Sequence, residues 1–319
     1  MLNLSDKKII VTGGSGFLGR FVVQKLIAHG AVEKNILIPR SAKYDLRKEQ
    51  DVRKMYKDFP CDIVIHLAAR VGGIGYNKEN PASLYIDNLL IGTHTLGYAR
   101  HFGIKKFVGV GTICEYPKFT PVPFKEEDLW SGYPEETNAP YGLAKKMLLI
   151  QSQSYRQQYG FNAIHLMPVN LYGVGDNFDP KSSHVIPALI KKVDEAIMNG
   201  KGEVAVWGTG KASREFLYVE DAAEGIVKAA VLYDRPEPVN IGSGMEIKIK
   251  ELIKLICQIM QFKGKIVFDK PKPDGPPRRC LDVSKAKKEF DFEAKTDFNT
   301  GLKKTIRWYQ ENKGKLKFG

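Results

Sequence analysis

Close to its start the chain reads Lys8-Ile9-Ile10-Val11-Thr12-Gly13-Gly14-Ser15-Gly16-Phe17-Leu18-Gly19. An apolar run of strand length gives way to glycines at Gly13, Gly16 and Gly19, spaced GxxGxxG, and a helical periodicity continues to about residue 29. Strand, glycine turn and helix in that order bring unpaired backbone N–H groups and the positive end of a helix dipole to one point. Glycine also lets a pyrophosphate come close to the backbone. Three glycines alone would suit any turn; the strand before and the helix after select a dinucleotide loop. Ser15, Phe17 and Leu18 belong to that loop with the glycines.

Moving outward, apolar strand-length runs recur at 35–39, 62–67, 106–110 and 163–167, with helical stretches at 81–102 and 141–159. The strands do not alternate polar with apolar, which is the pattern of a parallel sheet covered on both faces. Right-handed crossovers then give an α/β, Rossmann-type doubly wound fold. After residue 170 the rhythm changes. A loop at 172–177, a helix at 185–199, a turn-rich 208–212, a helix at 220–233 and a proline-rich loop at 270–279 follow. The expected division is a Rossmann domain of residues 1–172 plus about 214–243, and a smaller, interwoven C-terminal lobe of about 173–213 and 244–319.

The 319 residues are 43% hydrophobic and 27% charged, which excludes a disordered or fibrous chain. No apolar run approaches the ~20 residues that cross a bilayer, and the first residues lack the basic-then-apolar pattern of a secretory signal. Cys61, Cys114, Cys257 and Cys280 form no CxxC pair. That argues against a disulfide framework or zinc ribbon and for a reducing cytoplasm, with no metal site expected. Basic residues exceed acidic ones, 49 to 36. Solvated helix faces account for most of the excess, and the remainder would attract polyanionic ligands such as nucleotides. No nucleic-acid-binding pattern is present.

The second strand should discriminate between cofactors. An acidic residue at its end would bond the ribose of NAD, whereas Pro39-Arg40-Ser41 offers Arg40, suited to the extra phosphate of NADP. Asp45, Leu46 and the strand-end Leu67-Ala68-Ala69 would line the adenine and ribose. Further on, Thr112 stands at the end of the fourth strand, and Tyr141 and Lys145 share one helix face at i and i+4. The expectation is that the Lys145 ammonium lowers the Tyr141 pKa, so that the phenol exchanges a proton with a carbonyl oxygen held by Thr112. His66 and His165, inside apolar strands, read as structural.

The glycine loop, the Thr-bearing strand end and the Tyr/Lys pair together resemble the extended short-chain dehydrogenase/reductase family over nearly the whole chain. Val71-Gly72-Gly73-Ile74, Thr112-Ile113-Cys114-Glu115-Tyr116-Pro117, Glu136-Thr137-Asn138-Ala139-Pro140-Tyr141 and Asn170-Leu171-Tyr172-Gly173 narrow the resemblance. So do the stretch from Ser183-His184-Val185 to Leu189, Trp207-Gly208-Thr209-Gly210 and Arg214-Glu215-Phe216-Leu217. They look like the GDP-L-fucose synthase branch, whose members act on GDP-4-keto-6-deoxy-D-mannose as epimerase and reductase.

The resemblance implies Cys114 as base and His184 as acid for inversion at C3 and C5. It further implies NADPH reduction at C4 with Tyr141 as proton donor, and Pro168, Asn170, Leu171 and His184 at the cofactor. For the nucleotide it offers Asn170, Val185, Leu189, Lys192, Trp207, Arg214, Asp274 and Arg278. Trp207 would stack on guanine or pack between lobes, and Arg214 would pair with the diphosphate. Lys191 and Lys192 stand where the branch commonly has arginine, and Thr112 where it often has serine. Glu115, beside the implied base, replaces a small or apolar residue; it would raise the Cys114 pKa or point away. A GDP-mannose 3,5-epimerase, a reductase of a related GDP-4-keto-heptose and a non-catalytic regulatory protein on the same scaffold remain alternatives. A homodimer through a four-helix bundle of the helices at about 81–102 and 141–159 is also implied.

Overall fold

The computed structural model describes residues 2–272 and 274–316. Met1, Pro273 of the proline-rich loop and the last three residues of the second lobe lie outside them. Strands β1 (Ile9–Thr12), β2 (Ile36–Leu37), β3 (Ile63–His66), β4 (Lys106–Val110), β5 (Ala163–Pro168) and, later in the chain, β9 (Val239–Ile241) form one parallel sheet. Its order is β2-β1-β3-β4-β5-β9. The chain steps from β1 to β2 on one side and returns to β3 on the other, so the sheet reverses direction between β1 and β3. In open α/β sheets the ligand crevice lies at the carboxyl ends of such a pair.

Every residue of β1, β3, β4 and β5 is buried, because helices cover both faces. Helices α1 (Phe17–Ala28) and α7 (Val219–Leu232) pack together on one face, over Val11, Ile65 and Val108. Helices α2 (Glu49–Asp58), α4 (Pro81–His101) and α5 (Ala139–Tyr159) cover the other, over Ile10, Val64 and Phe107. Successive strand residues thus feed two different cores, as the period-two direction of strand side chains requires. A short α3 (Ile74–Glu79) precedes α4.

The second lobe has its own core. Strands β6 (Asn170–Tyr172), β8 (Ser213–Tyr218) and β10 (Glu246–Lys248) make a three-stranded sheet, and β7 (Glu203–Trp207) pairs in parallel with β11 (Lys265–Asp269). Around them lie α6 (Val185–Met198), α8 (Ile249–Ile259) and α10 (Phe298–Asn312), which bury Ile190, Val193, Ile253, Ile256, Leu302 and Ile306. In β8, Leu217 enters the first core while Phe216 and Tyr218 enter the second, so one strand ties the lobes together.

Several expectations need adjustment. The second strand is only two residues long and follows a 3-10 turn at Glu33–Asn35; Pro39, lacking an N–H donor, stops it from continuing. Helix α2 has no counterpart among the expected elements. Leu281, Ala286, Phe290 and Phe292, with α9 (Ser284–Phe290), pack into the first core, although their range was assigned to the smaller lobe. Among the described residues no helix is long and apolar enough to cross a membrane, and no cluster of His, Cys, Asp and Glu is placed to hold a metal ion. Ile190→Ala, at a fully buried point of the second core, is expected to lower the unfolding free energy by about 2–5 kcal/mol in a urea titration.

Candidate active site

The glycine loop is built by close backbone approach. Gly13 has φ +72°, and a Cβ there would lie 3.0 Å from the Ala68 backbone nitrogen. A Cβ at Gly19 would fall inside contact with the Gly13 carbonyl oxygen and 2.6 Å from Gly14 Cα. Only hydrogen at these positions lets β1, its turn and α1 nest together. Gly16 is the extended N-cap of α1, with no side-chain cap and no acidic residue in the first turn. The first-turn N–H groups are therefore left to a ligand. Ser15 and Gly16 are exposed at the loop tip, while Phe17 and Leu18 pack partly against the first core. Thr12 Oγ1 lies 2.9 Å from His66 Nδ1 and accepts the Ala68 N–H at 3.2 Å, fixing the ends of β1 and β3 where Leu67, Ala68 and Ala69 emerge. This cradle fits a dinucleotide.

On the adenine side Arg40 is exposed just beyond β2. Asp45 is engaged by Arg47, whose Nε and Nη2 donate to it at 2.9 and 2.8 Å, and that pairing lowers its pKa to about 2. The Leu46 side chain is buried among Val52, Met55 and Tyr56.

The reactive side is assembled on a single turn after β4. Thr112 caps the 3-10 turn Ile113–Glu115; its Oγ1 accepts the Cys114 N–H at 3.2 Å. Helix α5 begins directly on that turn. A Cβ at Gly142 would collide with the Cys114 carbonyl oxygen and stand 2.8 Å from its carbon, so the absence of a side chain sets the approach. Tyr141 is thereby brought beside Thr112, and Lys145 is buried one helical turn further on.

The electrostatics reverse one expectation. Burial, reinforced by Cys114 and Glu115, pushes the Tyr141 pKa up rather than down, while burial pulls Lys145 down to about 8. The phenol is thus held protonated, the state a proton donor needs.

Cys114 has a partner that the sequence did not disclose. Arg279 is buried, and its Nη1 donates to Cys114 Sγ at 3.8 Å while Nη2 donates to the Ile113 carbonyl at 3.1 Å. The segment carrying it runs extended beside β8, with the Glu215 N–H bonded to the Arg279 carbonyl at 3.0 Å. Side chains alternate along an extended segment. Arg278 consequently turns the other way and is taken by Glu246 at 2.7 Å. The Arg278-Arg279 doublet signals one inward guanidinium; which of the two faces in is set by register.

The second lobe contributes from across the cleft. His184 is the exposed N-cap residue of α6, and desolvation lowers its pKa. Its segment leans on the first lobe through the Gly73 N–H, which donates to the Ser182 carbonyl at 3.0 Å. Pro168 ends β5, buried, and Leu171 is half-buried in β6. Asn170 Nδ2 bonds the Glu215 carbonyl at 3.2 Å. Trp207 is 52% exposed, with the ammonium groups of Lys192 and Lys272 each 5.5 Å from its ring centroid, leaving much of the indole open to a ligand. Lys192 also reaches the Ala205 carbonyl at 3.1 Å.

Arg214 is half-buried, and desolvation lowers its pKa to about 10. It holds the Pro276 and Asp274 carbonyls at 2.7 and 3.1 Å. Asp274 accepts the Thr209 N–H and hydroxyl, both at 2.7 Å, so it shapes the loop beside Trp207. Val185 is half-buried, and Leu189 packs in the second core beside Ile186 and Ile190.

Residues 9–242 match the family model described as the NAD dependent epimerase/dehydratase family. The chain belongs to that family. Within it, a GDP-L-fucose synthase of Arabidopsis thaliana is 41% identical, covering 97% of this chain and 96% of that one. A GDP-L-fucose synthetase from Naegleria fowleri, solved bound to NADP, superposes with a TM-score of 0.88 at 30% identity, covering 97% and 96% of the two chains. A C. jejuni GDP-6-OMe-4-keto-L-xylo-heptose reductase gives 0.89 at 29% identity, over 98% and 99%. The family match spans the glycine loop, the turn bearing Thr112 and Cys114, and the start of α5 with Tyr141 and Lys145.

Two outcomes follow from this geometry. Gly19→Ala should weaken NADPH binding at least about tenfold in a fluorescence titration, because the loop must open to admit the methyl group. Arg279→Met should change the rate at which iodoacetamide alkylates Cys114, since the sulfur loses its guanidinium neighbour.

Proposed function

We propose that this protein is an NADPH-dependent epimerase/reductase that converts GDP-4-keto-6-deoxy-D-mannose to GDP-L-fucose. The observation carrying the reading is that a cysteine sulfur, with a guanidinium beside it, occupies the same short turn as Thr112, against which Tyr141 is brought by α5. A plain ketone reductase needs the hydroxyl pair but has no use for an adjacent base. Relatives named GDP-L-fucose synthase, similar over nearly the whole chain, support the substrate.

The chemistry then divides among this chain's residues. A ketone acidifies the hydrogens on the carbons beside it, so removal of one leaves an enolate whose reprotonation on the other face inverts the carbon. Cys114 takes the proton, with Arg279 countering the sulfur's charge. His184, entering from the second lobe, returns a proton, an imidazole being suited to both states near neutrality. The same exchange at C3 and at C5 gives both inversions. Thr112 and Tyr141 hold the C4 oxygen, and Tyr141 protonates it as the ketone becomes an alcohol. Lys145 sits one turn below to support that hydroxyl and the cofactor ribose.

Gly13, Ser15, Gly16 and Gly19 with the start of α1 would hold the pyrophosphate. Arg40 would meet the 2′-phosphate, and Pro168, Asn170 and Leu171 would flank the nicotinamide end. When bound, NADPH supplies the hydride taken up at C4. Trp207 offers its face to the guanine, and Lys192 and Arg214 supply positive charge for the diphosphate.

Reduction of a GDP-4-keto-heptose is the second reading, favoured by the C. jejuni structure. Incubating the protein with NADPH and each GDP-4-keto sugar, and following absorbance at 340 nm, separates them. We expect oxidation of NADPH fastest with the 6-deoxyhexose; a preference for the heptose would transfer the reading, and no net oxidation with either would indicate a pure 3,5-epimerase.

We further propose a cytoplasmic homodimer. Helices α4 and α5 pack against each other, with Tyr85, Ile86, Ile150 and Tyr159 exposed on them. Two such pairs would bury these side chains as a four-helix bundle. Light scattering should give twice the 35.8 kDa chain mass, whereas a value at the chain mass would contradict the dimer.

A further inference from the structure

Glu115 follows directly after the sulfur-bearing residue, yet it turns away from the cleft. Its side chain is fully buried, and its Oε1 accepts the Thr112 N–H at 2.9 Å, closing the reciprocal cap in which Thr112 holds the Cys114 N–H. Both of its carboxylate oxygens face His165 Nε2, at 3.2 and 3.1 Å. His165 lies on β5 beside Gly109 of β4, where the missing side chain leaves room for the imidazole. The next glycine completes the pocket. A Cβ at Gly111 would overlap both Glu115 Oε1 and His165 Nε2 and stand 2.9 Å from His165 Cε1. The strand thus carries two glycines where the pair needs space, a local cost of chain entropy that an ordinary apolar strand would not incur.

A buried carboxylate is expensive unless donors and cations surround it. Here the donors are the Thr112 N–H and the imidazole. The cations lie on α5, where Lys145 and Lys146 both feel the negative charge. Lys146 is itself anchored on the Leu129 carbonyl and lies 4.2 Å from the centroid of Trp130. That leaves Lys145, facing the reaction, as the ammonium whose proton this charge protects.

We propose that Glu115, held by His165, is a positioning residue of the active site: it locks the Thr112–Cys114 turn and supplies the buried counter-charge that keeps Lys145 an ammonium during turnover. The inference rests on the reading of the site as a reductase that uses Lys145. The titratable groups around Lys145 are Tyr141 and Lys146 on its own helix, Cys114 and Glu115 on the turn, His66 on β3 and His165 on β5. Of these, Glu115 is the one that raises the Lys145 pKa, against the burial that lowers it to about 8. The ammonium's stability is therefore exposed to any change that removes the carboxylate.

The test uses the full-length protein and the basic limb of its pH–rate profile for NADPH oxidation with GDP-4-keto-6-deoxy-D-mannose. Glu115→Gln keeps the shape and an acceptor for Thr112 but removes the charge. The basic limb should move to lower pH by about one unit, with NADPH binding at low pH near that of the wild type. Glu115→Asp keeps the charge on a shorter stem. Its limb should stay near the wild-type position while kcat falls, because the turn loosens.

His165→Leu removes the imidazole on which both carboxylate oxygens rest and should shift the limb in the same direction as Glu115→Gln. It carries the test if the glutamine variant does not fold. Limbs unchanged in the glutamine and leucine variants that fold would overturn the proposal. A purely structural role would lower melting temperature and rate without moving the limb, and that too would overturn it. A wild-type protein that binds NADPH but oxidises none with any GDP-4-keto sugar would instead overturn the reductase reading.

Discussion

The site depends on one close approach: the first turn of α5 lying on the backbone of Cys114, with nothing but the hydrogen of Gly142 between them. A helix start cannot come so near a strand-end turn if a side chain intervenes. The approach sets Tyr141 beside Thr112 and carries Lys145 one turn further on, so base, proton donor and ammonium are arranged by rigid backbone rather than by mobile side chains. The glycine loop repeats the device on the cofactor side, where Gly13 and Gly19 let a strand, a turn and a helix share one small volume. Both close contacts sit at the carboxyl ends of sheet strands, where an open α/β sheet offers its crevice.

Much of this was legible from residue order. Strands buried on both faces read as unbroken apolar runs, and β1, β3, β4 and β5 match theirs closely. The helices on which site residues ride were equally plain, α5 starting two residues before Tyr141. The second strand was overread because an apolar run does not reveal where pairing stops; Pro39 ends it early. Leu46 and Leu189 read as ligand-lining, and their side chains pack into the cores. A leucine near a motif carries no mark of the direction in which it points. Helix α2, with polar residues along most of its length, shows only a thin apolar stripe at Val52, Met55 and Tyr56.

What the sequence hid is chiefly long-range. Arg279 lies 165 residues from the sulfur it touches, and its extended segment is fixed by pairing with β8 that no local pattern encodes. The same register decides that Arg278 belongs to Glu246. The sign of the Tyr141 shift was also out of reach. A Tyr/Lys pair read as a string suggests an ammonium lowering a phenol, but desolvation outweighs it once the helix is docked. Of the two alternatives left open for Glu115, the structure selects the one in which it faces inward, to His165.

The central claim, that Cys114 and His184 invert carbons beside a ketone before the ketone is reduced, is tested most directly by product analysis after turnover in deuterated water. With the wild-type protein, NADPH and GDP-4-keto-6-deoxy-D-mannose, the account predicts GDP-L-fucose carrying deuterium at both C3 and C5. Product bearing solvent deuterium at neither carbon, formed while NADPH is consumed, would contradict it and leave a reductase without an epimerase.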